Sequence, residues 1–309
     1  HTMYERYTHY VPIDSQAMKE LAVELATEYA NLCDLVIAPS ESVEEIIRDR
    51  GVNAPVEVVP TGVDVEAFGS GQGARARKQW DLAQNAFVVG HVGRLAPEKN
   101  LPYLARAVAA FLRDTENTVF LVVGEGSSMD GIESIFEHEG LADRLVLAGK
   151  LSGQELYDAY GAMDLFAFAS TTETQGMVLV EAMAAGLPVV ALDAPGAREV
   201  VFDGENGCLL AAESEPADVA EAIADLYRDE DARSRCAVRA EETAEQYSQE
   251  HCATRMLELY REVLDRPERR HDISDSRGWR KLLKRLEAEW DLVTEKASAL
   301  SASLFQERD

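Results

Sequence analysis

Glu173 and Glu181 stand eight positions apart in the stretch Thr171-Thr172-Glu173-Thr174-Gln175-Gly176-Met177-Val178-Leu179-Val180-Glu181. The first acid sits in a polar turn and the second in the apolar run that follows Gly176. That run stops at Gly186-Leu187-Pro188, ahead of a Val-rich segment, so the pattern predicts a turn, a short helix and then a strand. A helix starting near Gly176 offers backbone N–H groups and a positive dipole end, which suits an anion such as a diphosphate. Glu173 at the helix entrance, and Glu181 about a turn and a half inside, can accept hydrogen bonds from hydroxyls. Sugar hydroxyls on one side of a diphosphate and ribose hydroxyls on the other are what a nucleotide-sugar presents.

A second group follows an apolar run in Val92-Gly93-Arg94-Leu95-Ala96-Pro97-Glu98-Lys99-Asn100. Here a predicted strand ends at Gly93 and two cations follow in the loop. A departing nucleoside diphosphate gathers negative charge, and fixed cations aimed at it lower the barrier, typically by several kcal/mol. Arg94 can fork two phosphate oxygens, while Lys99 acts as a point charge. Two further loops follow strands: Gly124-Glu125-Gly126 and Ala148-Gly149-Lys150-Leu151. Their glycines either let backbone approach a ligand closely or simply make tight turns, and both readings stand.

Together these strings resemble the large retaining glycosyltransferase family 4 with the GT-B fold, through its E-x7-E and G-R-x-x-x-E-K-(N/G) motifs. The resemblance implies that Arg94 and Lys99 bind and stabilise the diphosphate and that Glu173 holds hydroxyls of the sugar. It also implies that the backbone of Thr174, Gln175, Gly176, Met177 and Val178 lines phosphate and sugar, and that Glu181 binds the ribose. Gly93 and Gly124 would line the donor cleft, with Lys150 and Leu151 where the base is recognised. His1 matches a histidine that faces the transferred sugar from the other domain. The opening His1-Thr2-Met3-Tyr4-Glu5-Arg6-Tyr7-Thr8-His9-Tyr10 and the string Thr172-Glu173-Thr174-Gln175-Gly176 resemble a narrower branch, the diacylglycerol glucosyltransferases. The implied activity is a retaining hexosyl transfer from UDP-glucose to a lipid hydroxyl such as that of 1,2-diacylglycerol.

No cofactor beyond the donor and no metal is expected. The Asp229-Glu230-Asp231 string falls between two predicted helices, far from any strand end, and no His-Glu-x-x-His spacing occurs. The alternatives are another acceptor (a polysaccharide, a phosphoinositide or a small molecule), a nucleotide-sugar epimerase, or a nucleotide-binding fragment without turnover.

Positioning these loops calls for an α/β fold. Short apolar strands are predicted at Phe87–Val92, Val119–Val123, Leu145–Leu147, Leu165–Phe168, Pro188–Ala191 and Cys208–Leu210. Helices are predicted to begin near Asn100, Ser128, Ser152, Gly176 and Ala197, with three more at about 215–228, 231–246 and 249–264. Such alternation is a doubly wound parallel sheet whose ligands bind beyond the carboxyl ends of its strands. Before it come a predicted helix at 13–30, strands around Val36 and Val56, and a looser region through Gly73, with Ser40 as a helix N-cap. The expected domains are 1–62, the remnant of a Rossmann-like acceptor-side domain, 63–265, the nucleotide-sugar domain, and 266–309, a helical tail. Against ordinary domain sizes, roughly a hundred residues are expected to be missing before His1.

The 309 residues carry a formal charge of −26, which disfavours nucleic acid as a partner. Cys33, Cys208, Cys236 and Cys252 are dispersed, fitting a reducing cytosol, and no run reaches the length of a membrane span. In the tail, Arg277, Arg280, Lys281, Lys284 and Arg285 lie opposite a stripe of Trp279, Leu282, Leu283, Leu286, Trp290 and Val293. Such a helix can lie in a membrane interface or pack on protein, and both readings stand. The expected location is cytoplasmic, with peripheral contact at the inner face of the membrane.

Overall fold

The computed structural model describes residues 16–266. His1, the aromatic opening and the 277–293 stripe lie outside the described residues. The chain divides into two compact units. The larger holds residues 38–43 and 58–259; the smaller holds, among the described residues, 16–37, 44–57 and 260–266.

In chain order the first elements are α1 (Gln16–Ala30), β1 (Val36–Ala38), α2 (Glu41–Asp49) and β2 (Val56–Val58), the two strands forming a two-stranded sheet. In the smaller unit the Asn31 amide pins the 51–54 turn, accepting from Asn53 N–H at 2.6 Å and donating to the Gly51 carbonyl at 3.1 Å. Ser40 caps α2 as expected, its hydroxyl oxygen accepting from Val43 N–H at 3.3 Å.

The larger unit continues with α3 (Val65–Gly69), α4 (Gly73–Gln79), β3 (Phe87–Val92), α5 (Leu101–Arg113), β4 (Thr118–Val123), α6 (Met129–His138) and β5 (Leu145–Leu147). Then come α7 (Gln154–Gly161), β6 (Leu165–Phe168), α8 (Met177–Ala184), β7 (Val189–Leu192), β8 (Gly207–Leu210), α9 (Pro216–Arg228), α10 (Glu230–Glu245) and α11 (Gln249–Leu264), whose residues from Tyr260 on count with the smaller unit. The strands form one parallel sheet in the order β5-β4-β3-β6-β7-β8. Every residue of β3, β6 and β7 is buried. Continuous apolar runs suit strands that are covered on both faces.

One core joins Phe87, Leu104, Phe120, Phe136 and Ile223 under α5, α6 and α9. The other joins Val88, Leu121, Tyr160, Phe166, Leu179 and Ala240 with α7, α8 and α10. On α5 the residues Leu101, Leu104, Ala105, Val108 and Leu112 recur at helical spacing and are buried. Each such leucine contributes about 1.5–3 kcal/mol on leaving water. The chain winds outward from β3 to β5, then restarts at β6 on the other side of β3. A crevice therefore opens beyond the carboxyl ends of β3 and β6.

Two expectations fail. No helix starts at Ala197; residues 195–200 form turns. Gly196 has φ +85°, and the Glu199 carboxylate accepts from Gly196 N–H at 2.6 Å and Ser42 N–H at 3.2 Å, which pins the loop instead. The region expected to be loose through Gly73 contains α3 and the start of α4. Asp64 caps α3 by accepting from Ala67 N–H at 3.0 Å.

Candidate functional site

Beyond Val92 the chain leaves β3 through Gly93 and reaches α5 by a 3-10 turn at Pro97–Lys99. The Ser170 and Thr172 hydroxyls both approach the Glu98 carbonyl at 3.4 Å, which sets this loop against the turn after β6. Arg94 is half exposed and pairs with Glu98 at 2.6 Å. Lys99 pairs with Glu173, and these two side chains keep only 18% and 16% of their exposure. Removing either partner would strand a largely desolvated charge.

The turn bearing Glu173 is fastened at three points. The Gln175 side chain accepts from Thr61 N–H and donates to the Thr61 carbonyl, both at 3.0 Å. The Ser40 hydroxyl donates to the Thr174 carbonyl at 2.7 Å. Gly176, at φ +69°, crosses Gly196 so closely that a Cβ on Gly176 would lie 2.5 Å from the Gly196 carbonyl oxygen. Gly176 is the N-cap of α8 and supplies no side-chain cap. Leu179 N–H already donates to the Gly176 carbonyl at 2.9 Å, so the N–H groups of Met177 and Val178 are the ones an anion would meet.

Two clefts meet over the end of β3. The first, of about 290 Å³, is lined by Thr61, His91, Val92, Gly93, Lys99, Phe168 and the run Glu173 to Val178. The second, of about 400 Å³, is lined by Val92, Gly93, Arg94, Val123, Gly124, Glu125, Lys150, Leu151 and Leu156. Val92 and Gly93 belong to both. Gly93, Lys99, Glu173, Thr174, Gln175, Gly176, Met177 and Val178 thus come together in one, and Arg94, Gly124, Lys150 and Leu151 in its neighbour.

Glu181 lines neither cleft. It sits inside α8, where its carboxylate accepts from the Tyr160 hydroxyl at 2.7 Å. Burial pushes the Glu181 carboxyl above its ordinary range and holds the Tyr160 phenol well above its own. The glycines after β4 let two loops approach each other. A Cβ on Gly124 would lie 1.8 Å from the Gly93 oxygen, and one on Gly126 would lie 2.2 Å from the Leu95 oxygen. Asp229 caps α10, accepting from Ala232 N–H at 2.8 Å.

His91 was not singled out from sequence. Its ring is fully buried beside Phe166 and Phe168, whose ring centroids lie 6.1 Å from it and 6.4 Å from each other. Nδ1 lies 3.1 Å from the Ala167 carbonyl, and burial drives the imidazole down to about 4. The available signal was a single polar side chain in an otherwise apolar strand. Ser40 was read only as a cap, because the Thr174 carbonyl to which it also donates is far away in sequence.

A switch-point crevice lined by cations, glycines and a helix entrance is the setting the motifs call for. The family model described as Glycosyl transferases group 1 matches residues 74–243, more than half of the chain. The chain belongs to the glycosyl transferases group 1 family. The model described as Glycosyltransferase Family 4 matches residues 1–67.

Among the chain's relatives is the D-inositol 3-phosphate glycosyltransferase of Nocardia farcinica. It is 33% identical over 238 residues, which are 74% of this chain and 52% of the relative. The alpha-monoglucosyldiacylglycerol synthase of Acholeplasma laidlawii is 28% identical over 67% of this chain and 54% of its own length. The chain therefore spans about half the length of the curated relatives it matches. Among solved structures, Anabaena HepE in complex with UDP and glucose is 28% identical with a TM-score of 0.71, covering 79% of this chain and 67% of that one. The GT-B fold expected from the motifs stands. Among the described residues no helix is long and apolar enough to cross a membrane.

Proposed function

We propose that this group 1 glycosyltransferase moves glucose from UDP-glucose to a lipid hydroxyl, such as that of 1,2-diacylglycerol, with retention at the anomeric carbon. The observation that carries the reading is the pair of clefts meeting at Gly93. The smaller holds a cation, a carboxylate and an uncapped helix N-terminus, and the larger is walled by Gly124, Lys150 and Leu151. Lys99, Arg94 and the first N–H groups of α8 bind the diphosphate. Glu173 takes hydroxyls of the sugar, and the backbone around Lys150 and Leu151 takes the base. Glu181 lines neither cleft, and its assignment to the ribose rests on the E-x7-E spacing alone, with Tyr160 holding its carboxylate. The role that the resemblance gives His1 falls outside the described residues.

In the reaction the bond from the anomeric carbon to the phosphate oxygen breaks. A bond to the acceptor oxygen forms on the same face, and the acceptor proton passes to the leaving UDP. Lys99 and Arg94 meet the charge that develops on UDP, so no divalent cation is required. UDP and glucose are named with the Anabaena neighbour, and the Acholeplasma synthase supports a glycolipid acceptor. A phosphorylated inositol acceptor is the second reading, favoured by the 33% identity to the Nocardia enzyme. The stripe at 277–293 would bring the protein to the cytoplasmic membrane surface.

Calorimetric titration of UDP into the chain and its Lys99→Ala variant tests the donor site, with EDTA and magnesium arms. The expected result is binding that weakens about tenfold or more without Lys99 and is indifferent to chelation. Binding that needs magnesium, or that ignores Lys99, would contradict the reading.

A further inference from the structure

We infer that His91 reads a hydroxyl of the transferred sugar, accepting its hydrogen bond at Nε2. This deepens the donor reading above and rests on it. His91 is the next-to-last residue of β3, is fully buried and lines the smaller cleft beside Lys99 and Glu173. Its Nδ1 faces the Ala167 carbonyl at 3.1 Å. A carbonyl only accepts, so Nδ1 carries the proton and Nε2 presents a bare lone pair. Burial drives the imidazole down to about 4, so the ring is neutral, and Phe166 and Phe168 pack beside it.

Nε2 is the buried side-chain nitrogen or oxygen among the described residues that has no hydrogen-bond partner. An unmatched buried acceptor is uncommon, and its position says what would match it. A Cβ built on Gly93 would lie 3.5 Å from Nε2, so the atom sits under one of the two residues that the clefts share. A diphosphate only accepts hydrogen bonds and cannot satisfy it. A sugar hydroxyl can donate to Nε2 while accepting from Lys99, and Glu173 is then free to take a second hydroxyl. The two acceptors together would select the carbohydrate, while the cations grip the phosphates.

UDP and UDP-glucose are titrated into the wild-type chain and into His91→Phe, which keeps a flat ring beside the two phenylalanines but has no acceptor. UDP-glucose should weaken about three- to tenfold and UDP by less than about twofold. Equal weakening of both ligands, or of neither, overturns the assignment. The 2-, 3-, 4- and 6-deoxy analogues of UDP-glucose identify the hydroxyl. One should lose the same factor on the wild type and nothing further on His91→Phe; a series with no such member overturns the proposal.

Should the variant not fold, the nitrogen resonance of His91 Nε2 in the wild type decides. It should move with UDP-glucose and stay with UDP, and movement with both or neither counts against the role. A wild type that binds UDP but does not distinguish it from UDP-glucose removes only the His91 assignment. One that binds neither removes the donor reading as well.

Discussion

Lys99 and Glu173 meet in the described state as an ion pair, with Arg94 engaged by Glu98 nearby. A nucleotide-sugar would rearrange both pairs, moving Lys99 toward phosphate while Glu173 turns to hydroxyls. His91 adds a residue-level pH dependence with a definite sign. Its imidazole falls from 6.5 to about 4 on folding, because burial penalises the cation. Between those values the unfolded chain takes up a proton that the native state refuses. Stability is therefore fully present above pH 6.5 and declines as pH falls toward 4, by on the order of 3 kcal/mol. Thermal melts from pH 7 to 4 should show this decline in the wild type and a shallower one in His91→Phe. Parallel curves would contradict it.

At the scale of elements, what matters is how the turn before α8 is held. Gly196 has φ +85°, and a Cβ there would lie 2.5 Å from Glu173 Cβ. Gly196→Ala should lower stability by about 1–3 kcal/mol in urea denaturation and weaken UDP-glucose binding, because the displaced residue is Glu173. An unchanged midpoint would show that the turn yields more easily than its packing implies. The strands were legible because buried parallel strands are unbroken apolar runs; the expected and observed ends of Phe87–Val92 and Leu165–Phe168 coincide. Lys99 and Glu173 were legible because each stands where a strand-end loop meets a helix. The clamp of Gln175 on Thr61 was not, since its partners are 114 positions apart. Ala197, Val200 and Val201 mimic the buried stripe of a helix, and only the side-chain bonds of Glu199 reveal that the segment turns instead. The glycines around α3 and α4 were read as a loose region and hid two short helices.

For the whole molecule, charge is the dominant feature. A formal −26 spread over 309 residues stores self-repulsion that counter-ions screen. Raising sodium chloride from about 10 mM to about 500 mM shortens the screening length from about 30 Å to a few ångströms. The melting temperature should rise across that series, and a fall would mean that attractive pairs outweigh the net repulsion. The same acidity gives an anionic donor no long-range attraction, so recognition depends on the local cations at the end of β3. A crystal structure of the chain with UDP tests that claim most directly. The account predicts the diphosphate over the N-terminus of α8, touching Lys99 and Arg94, with the Lys99–Glu173 pair opened and the base beside Lys150 and Leu151. A nucleotide bound elsewhere, such as the cavity between Phe202 and Tyr247, with that pair intact would contradict it.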